Sequence, residues 1–243
     1  MNKTKFLLKR FVFLCPVFVF LFFFVFKRNM SIHAYHSHVL EGGILEITTE
    51  INYLICFFLA WYIYISFRNI GKKLLKWLYF LLSLGMLFIF LEEISYGQRL
   101  FNIEPPDYFK EKNRQDEINF HNMIGFGLTK SMWIFKFLIG LYGTFSLYLA
   151  TKLISKKIVP KKCVEIVSWI CPNYILIPCF STIIVQSIFV NFIIGKENIN
   201  KVFDKFFVHF HGHEITELIL SFGFLFFLSM NAYRIHLVNK TYK

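Results

Sequence analysis

Residues 74–91 read LLKWLYFLLSLGMLFIFL and run straight into Glu92-Glu93-Ile94-Ser95-Tyr96-Gly97-Gln98-Arg99. Eighteen positions whose only charge is Lys76 come close to the roughly 20 residues that a helix needs to cross a hydrocarbon core about 30 Å thick. The paired carboxylates that continue the run are unusual. A charge at the edge of hydrocarbon is costly and is retained where it has a partner or a task. The run therefore decides the fold, and the residues that end it open the question of function.

Similar apolar runs occupy 11–26, 45–67, 132–154, 168–194 and 215–237. Hydrocarbon offers backbone groups no water, so a spanning run of this kind must close its hydrogen bonds within a helix. The chain is predicted to be an all-α polytopic membrane helix bundle of about six transmembrane helices, a single integral membrane domain over 1–243 with a long outer loop at 97–130. Hydrophobic residues make up 56% and aromatic residues 20% of the chain, outside the range of an ordinary soluble domain. The first run, bracketed by Lys9-Arg10 and Lys27-Arg28, lacks a small-residue cleavage site after it and reads as a retained anchor. Pro172 and Pro178 predict a kink in the fifth run, and its Thr182, Gln186 and Asn191 are expected to face the bundle, since lipid gives them no partner.

Lys and Arg set the orientation. Segments 3–10, 68–76, 152–162 and the C-terminus together carry 16 of the 27, the alternate segments carry 10, and Lys136 lies inside the fourth run. Both termini are therefore expected in the cytoplasm, with Lys76 and Lys162 inside and Lys110 and Lys201 outside. The net charge of +12 is then an orientation signal, so no nucleic-acid partner is implied. Fourteen of the 15 acids and seven of the eight His fall on the outer side. The positive-inside rule does not sort these residue types, so the outer face has its own demand for them. Five Cys with no C-x-x-C spacing, in or beside apolar runs, read as packing residues.

The chemistry-bearing residues sit near the outer ends of the runs. Glu46 and Glu50, Glu117 and His121, and His213 and Glu217 are each spaced i, i+4, which on a helix places both side chains on one face. Asp107 to Asn122 shows a polar helical pattern expected at the membrane interface. If the third helix continued through Arg99, Glu92, Ser95 and Arg99 would share a face, and Arg99 would neutralise Glu92. Clustered carboxylates must take up protons or hold a cation, and neutral imidazole is a metal ligand. This pattern assigns Glu117, His121, His213 and Glu217 to a Zn, Mn or Fe ion, Glu92 or Glu93 to the general base, Ser95 to the same catalytic group, and Arg99 to an anionic part of the substrate. Asn119 and Asn122 are candidate partners or caps for His121. His33, His36 and His38 form a second His tract in what reads as a flexible loop.

The strings E-E-I-S-Y-G-Q-R at Glu92 to Arg99 and E-I-N-F-H-N at Glu117 to Asn122 resemble the signature of an uncharacterised group of bacterial polytopic membrane proteins with an aromatic residue at the position of Tyr96. The resemblance implies a bacterial inner-membrane protein and brings no reaction with it. A fainter similarity is to intramembrane zinc amidases of the alkaline ceramidase type, seven-helix bundles in which a Ser, an Asp and three His surround the metal. Ser95, His121, His209 and His213 would take those parts. The chain departs from that family in its six predicted helices, its surplus of Glu, and the absence of an H-x-x-x-H with a partner Asp in the family's arrangement.

The expectation is a metal-dependent hydrolase or transferase acting on a lipid or lipid-linked substrate at the extracytoplasmic face, with membrane lipids as the partners. The rival is a transporter or accessory protein whose acidic cluster carries protons or a divalent cation, or a membrane component without chemistry. No inverted repeat is visible to support the transporter.

Overall fold

The computed structural model describes residues 3–39, 42–113, 116–120, 123, 128–158, 160, 163–188 and 212–241. Its helices are α1 (Lys3–Asn29), α2 (Ile32–Val39), α3 (Ile44–Asn69), α4 (Lys73–Glu93), α5 (Gln98–Phe101), α6 (Asp107–Lys112), α7 (Leu128–Ser155), α8 (Cys163–Ile170), α9 (Ile177–Ile188) and α10 (Gly212–Thr241), with single 3-10 turns at Ser95–Gly97 and Tyr174–Leu176. Among the described residues the only β pairing is an isolated antiparallel bridge between Asn113 and Met123.

Six stretches are long and apolar enough to cross a bilayer: Leu7–Asn29, His33–Asn69, Lys73–Glu93, Ile134–Ser155, Cys163–Ile188 and Gly212–Thr241. Each takes in most or all of one predicted run, while residues 189–194 of the fifth lie outside the described set. The protein is an all-α, integral, multi-pass membrane protein. The segment carrying His33, His36 and His38 corrects one expectation. It folds as α2, with Tyr35 and Val39 buried and the Phe26 and His38 rings 5.6 Å apart.

The chain divides into two compact units whose boundaries fall within α3, α7 and α10: Met1–Thr48 with Ile139–Asn231, and Thr49–Leu138 with Ala232–Lys243. The first is built on α1, which packs against α9 and the 3-10 turn before it. Phe23, Tyr35, Val39, Leu45, Cys179, Ile215, Leu218 and Ile219 form its core. Here α7 lies close to α9 because Gly140 and Gly143 have no side chain. A Cβ at Gly143 would collide with the Phe180 ring, and one at Gly140 with Ile183. Small residues where helices touch are the usual way for backbones to approach closely in lipid. All five cysteines are free thiols.

Pro172 does more than kink the fifth span. It stops α8, because its nitrogen has no hydrogen for the next turn. Asn173 starts the following 3-10 turn by accepting the Ile175 amide at 3.2 Å, and α9 then carries Pro178 in its first turn, where the missing donor costs nothing. The break frees the Trp169 and Ile170 carbonyls. Asn231 Nδ2 donates to the first at 3.2 Å and the Tyr142 hydroxyl to the second at 3.0 Å. Such substitutes are what make a broken helix tolerable inside a membrane.

In the second unit, α3 buries Tyr53, Cys56, Ala60, Ile63 and Phe67, and α4 buries Leu75, Tyr79, Ser83 and Met86, both at spacings of three and four residues that trace one helix face. The opposite face of α4, with Leu74, Trp77, Leu81, Leu84 and Phe88, is exposed. The two helices are joined by a tight turn. Gly71 takes φ +72°, and Lys72 N–H reaches back to the Phe67 carbonyl at 3.0 Å, closing the last turn of α3. The Phe67 and Tyr79 rings, 5.6 Å apart, pack across the start of the pair.

Candidate functional site

The polar end of α4 is bound by several side-chain hydrogen bonds and an ion pair. The helix stops at Glu93, and Ser95, Tyr96 and Gly97 follow with φ of 47°, 52° and 83°. Three consecutive left-handed residues are rare. For Ser and Tyr the conformation costs roughly 1–2 kcal/mol each, so the surroundings must hold it in place. Gly97 alone takes it without strain.

What holds it is Asn113 together with residues 116–120. Glu92 Oε2 accepts the Phe120 amide at 2.9 Å. Gln98 bonds that segment's backbone at two points, accepting the Ile118 amide at 2.6 Å and donating to the Asp116 carbonyl at 3.1 Å. Asn119, fully buried, is the hub: its Nδ2 donates to Ser95 Oγ at 3.1 Å and also to Glu117 Oε2, while its Oδ1 accepts from Asn113 Nδ2 at 2.9 Å. The Asn113–Met123 bridge closes the loop behind it.

Two carboxylates are buried here, Glu92 at 2% and Glu117 at 5% exposure. A buried carboxylate is tolerable only with charge or hydrogen-bond compensation. Glu117 has both, in the Asn119 amide and in Arg99, whose Nη2 lies 3.0 Å from Oε1. Glu92 has the Phe120 amide, and the Tyr96 phenol lies close enough to feel its charge. Burial and then the Glu92 carboxylate push the Tyr96 phenol above its usual range, so it stays a neutral donor. Chemically the arrangement is a fixed carboxylate with a neutral hydroxyl beside it and an ion pair next door.

Of the residues singled out from sequence, Glu92, Ser95, Arg99 and Glu117 are brought together, and Glu93 sits half-buried at the last position of α4. The route differs from the one expected. The third helix does not continue through Arg99, so no shared helical face exists, and Arg99 pairs with Glu117 where Glu92 was expected. The helix expected to carry Glu117 is not present at 116–120. Helix α6 ends at Lys112, Asn113 is extended, and 116–120 is irregular chain tied down by Gln98 and Asn119. His121, Asn122, His209 and Asn191 lie outside the described residues.

His213 and Glu217 belong to the first unit, at the start of α10. His213 is exposed, with Nε2 3.1 Å from Glu214 Oε1. Glu46 accepts the Gly42 amide at the start of α3, a capping role in a first turn that favours negative charge. Among the described residues no three His, Cys, Asp or Glu side chains form a group able to hold a metal ion. Gln98 and Asn113 were missed from sequence, and Asn119 was noticed only as a companion of His121. The available signal was a buried amide requirement: two carboxylates entering a low-dielectric site need donors, and amides supply them without adding charge.

Compared with family models, with curated proteins and with solved structures, the chain matches none.

Proposed function

We propose that this integral membrane protein is an enzyme acting on a lipid or lipid-linked substrate at the extracytoplasmic boundary of the bilayer, with Glu92 as general base. The observation that carries the reading is Glu92 itself, a carboxylate in the last turn of a membrane span, 2% exposed and fixed by a backbone amide 28 residues away. Positioned carboxylates of this kind accept a proton from water or a substrate hydroxyl as its oxygen attacks. The strained Ser95-Tyr96 backbone supports the reading, because strain of this sort is kept where it serves a site. Arg99 would meet negative charge on the substrate, and Asn119 with Ser95 would hold Glu117, and through it Arg99, in place. The resemblance at Glu92 to Arg99 makes the bacterial inner membrane the proposed location.

The transporter reading has one observation in its favour, the broken fifth span, since discontinuous helices line many transport sites. However, the Trp169 and Ile170 carbonyls already accept from Asn231 and Tyr142, so the break is satisfied without an ion. The Glu92 cluster also lies at the end of its span, whereas transport sites lie near the midplane. A metal at Glu117 would have to displace the Arg99 guanidinium, so the acid–base form is preferred to the metal-dependent one.

The test compares lipid extracts from cells producing wild-type protein and Glu92→Gln at matched membrane levels. The expected result is a lipid species whose conversion disappears in the variant; indistinguishable lipid profiles would end the proposal. Elemental analysis of the purified wild type decides the metal-dependent form. Near-stoichiometric Zn, Mn or Fe, lost in His121→Ala with His213→Ala, would restore it.

A further inference from the structure

Helix α5 is a single turn, and its last two residues, Leu100 and Phe101, are each 74% exposed, with Ile103 exposed just beyond them. Three large apolar side chains presented together in this way have no place in water. They lie close to the bilayer. Leu100 is seven residues past the end of the α4 span, and most of the intervening residues are coiled in turns that rise about 1.5–2 Å per residue, a path of roughly 14 Å at most. The Phe101 ring folds back against Gly97, about 3.0 Å from where a Cβ would stand, which anchors it to the left-handed turn.

An aromatic ridge runs alongside. Tyr96 meets Phe120 at 6.3 Å, Phe120 meets Phe109 at 6.0 Å, and Phe109 meets Tyr108 at 5.9 Å, with Tyr96, Phe120 and Tyr108 exposed. Exposed Tyr and other aromatics beside a span end are characteristic of the headgroup layer. The charged side of the same loop, Glu104, Asp107, Lys110, Glu111 and Lys112, is exposed and suited to water.

We propose that the loop after α4 is seated in the headgroup layer of the leaflet where α4 ends, with Leu100, Phe101 and Ile103 among the lipid chains. The occupant of this apolar tip is the bilayer, because the tip continues from a helix long and apolar enough to cross one, whose own face at Leu81, Leu84 and Phe88 is exposed and apolar. Arg99 directly precedes the inserted pair and is held by Glu117, which sets its guanidinium at the level of lipid phosphates. This inference rests on the lipid reading of the Glu92 site and deepens it. The substrate is a lipid resident in that leaflet, with an anionic headgroup that approaches Glu92 laterally without leaving the membrane.

The experiment places the photoreactive residue p-benzoylphenylalanine, in separate full-length proteins, at Leu100, Ile103, Glu111 and, as the lipid-facing reference, Leu81. Each protein is reconstituted in vesicles of phosphatidylethanolamine and phosphatidylglycerol, irradiated, and analysed by mass spectrometry for lipid adducts. The expected result is that positions 100 and 103 give adducts near the level of position 81 and several-fold above position 111. Positions 100 and 103 both at the level of 111 would overturn the seating. Adducts without any Glu92-dependent lipid conversion would keep the seating and remove the enzyme. Conversion without adducts would keep the enzyme and remove the seating.

Discussion

After Ile170 the fifth span stops because Pro172 has no amide hydrogen to give, whereas after Glu93 the third span stops with no proline nearby. At the first break the freed carbonyls of Trp169 and Ile170 are taken up by Asn231 and Tyr142, neutral donors from α10 and α7. At the second, two non-glycine residues are held left-handed, two carboxylates are buried, and the bonds that hold them come from a loop whose residues 116–120 have no regular structure. A helix end that neutral caps complete is an architectural joint. A helix end that keeps strain and buried charge is held in that state by its neighbours, and functional sites are where such arrangements persist.

The contrast can be broken most forcefully at Asn119. Asn119→Asp removes the amide donations to Ser95 and Glu117 and places a third carboxylate in the cluster, so it should cost about 3–5 kcal/mol. In detergent this appears as a fall in melting temperature on the order of 10 °C, and an unchanged melting curve would show that the hub does not hold the turn. Asn231→Leu should cost much less, about 0.5–1.5 kcal/mol, because single hydrogen bonds within membranes are worth little once the chain can readjust. It should also leave Glu92-dependent lipid conversion intact. If it abolished that conversion, the joint and the site would not be separable.

The finest test is alkaline. The folded pKa of Tyr96 lies above the ordinary value near 10, so its contribution to stability is full below pH 10 and is lost as pH rises beyond it, when the unfolded phenol ionises and the folded one resists. Tyr96→Phe should flatten that loss by a few tenths of a kcal/mol, since water screens the exposed part of the ring. Denaturation at pH 9 and pH 10.5 would show it. Equal alkaline losses in both proteins would mean that burial and Glu92 do not hold the Tyr96 phenol neutral.

The spans were legible because run length and hydropathy alone decide them, and the fifth-span break because proline chemistry is local. Glu92, Ser95, Arg99 and Glu117 were also picked out from sequence, on the argument that charge beside hydrocarbon needs a reason. Their geometry could not be read in the same way. Neither Ser95 nor Tyr96 favours positive φ, so nothing local announces the left-handed turn, and only Gly97 hints at it. Likewise 107–122 has a helical polar pattern, yet α6 ends at Lys112 because Asn113 turns its side chain to Asn119 and the backbone beyond bonds to Gln98. Those are tertiary contacts, made by amides that carry no periodic signal.

The capping of the fifth span also bears on how the protein is made. Tyr142 has been synthesised before α8 appears, but Asn231 lies 62 residues after Trp169. At translation rates of about 5–20 residues per second, the Trp169 carbonyl waits several seconds for its donor. The Trp169–Asn231 bond is therefore the last part of the joint to form, and a chain cut short before Asn231 should carry only its Tyr142 half.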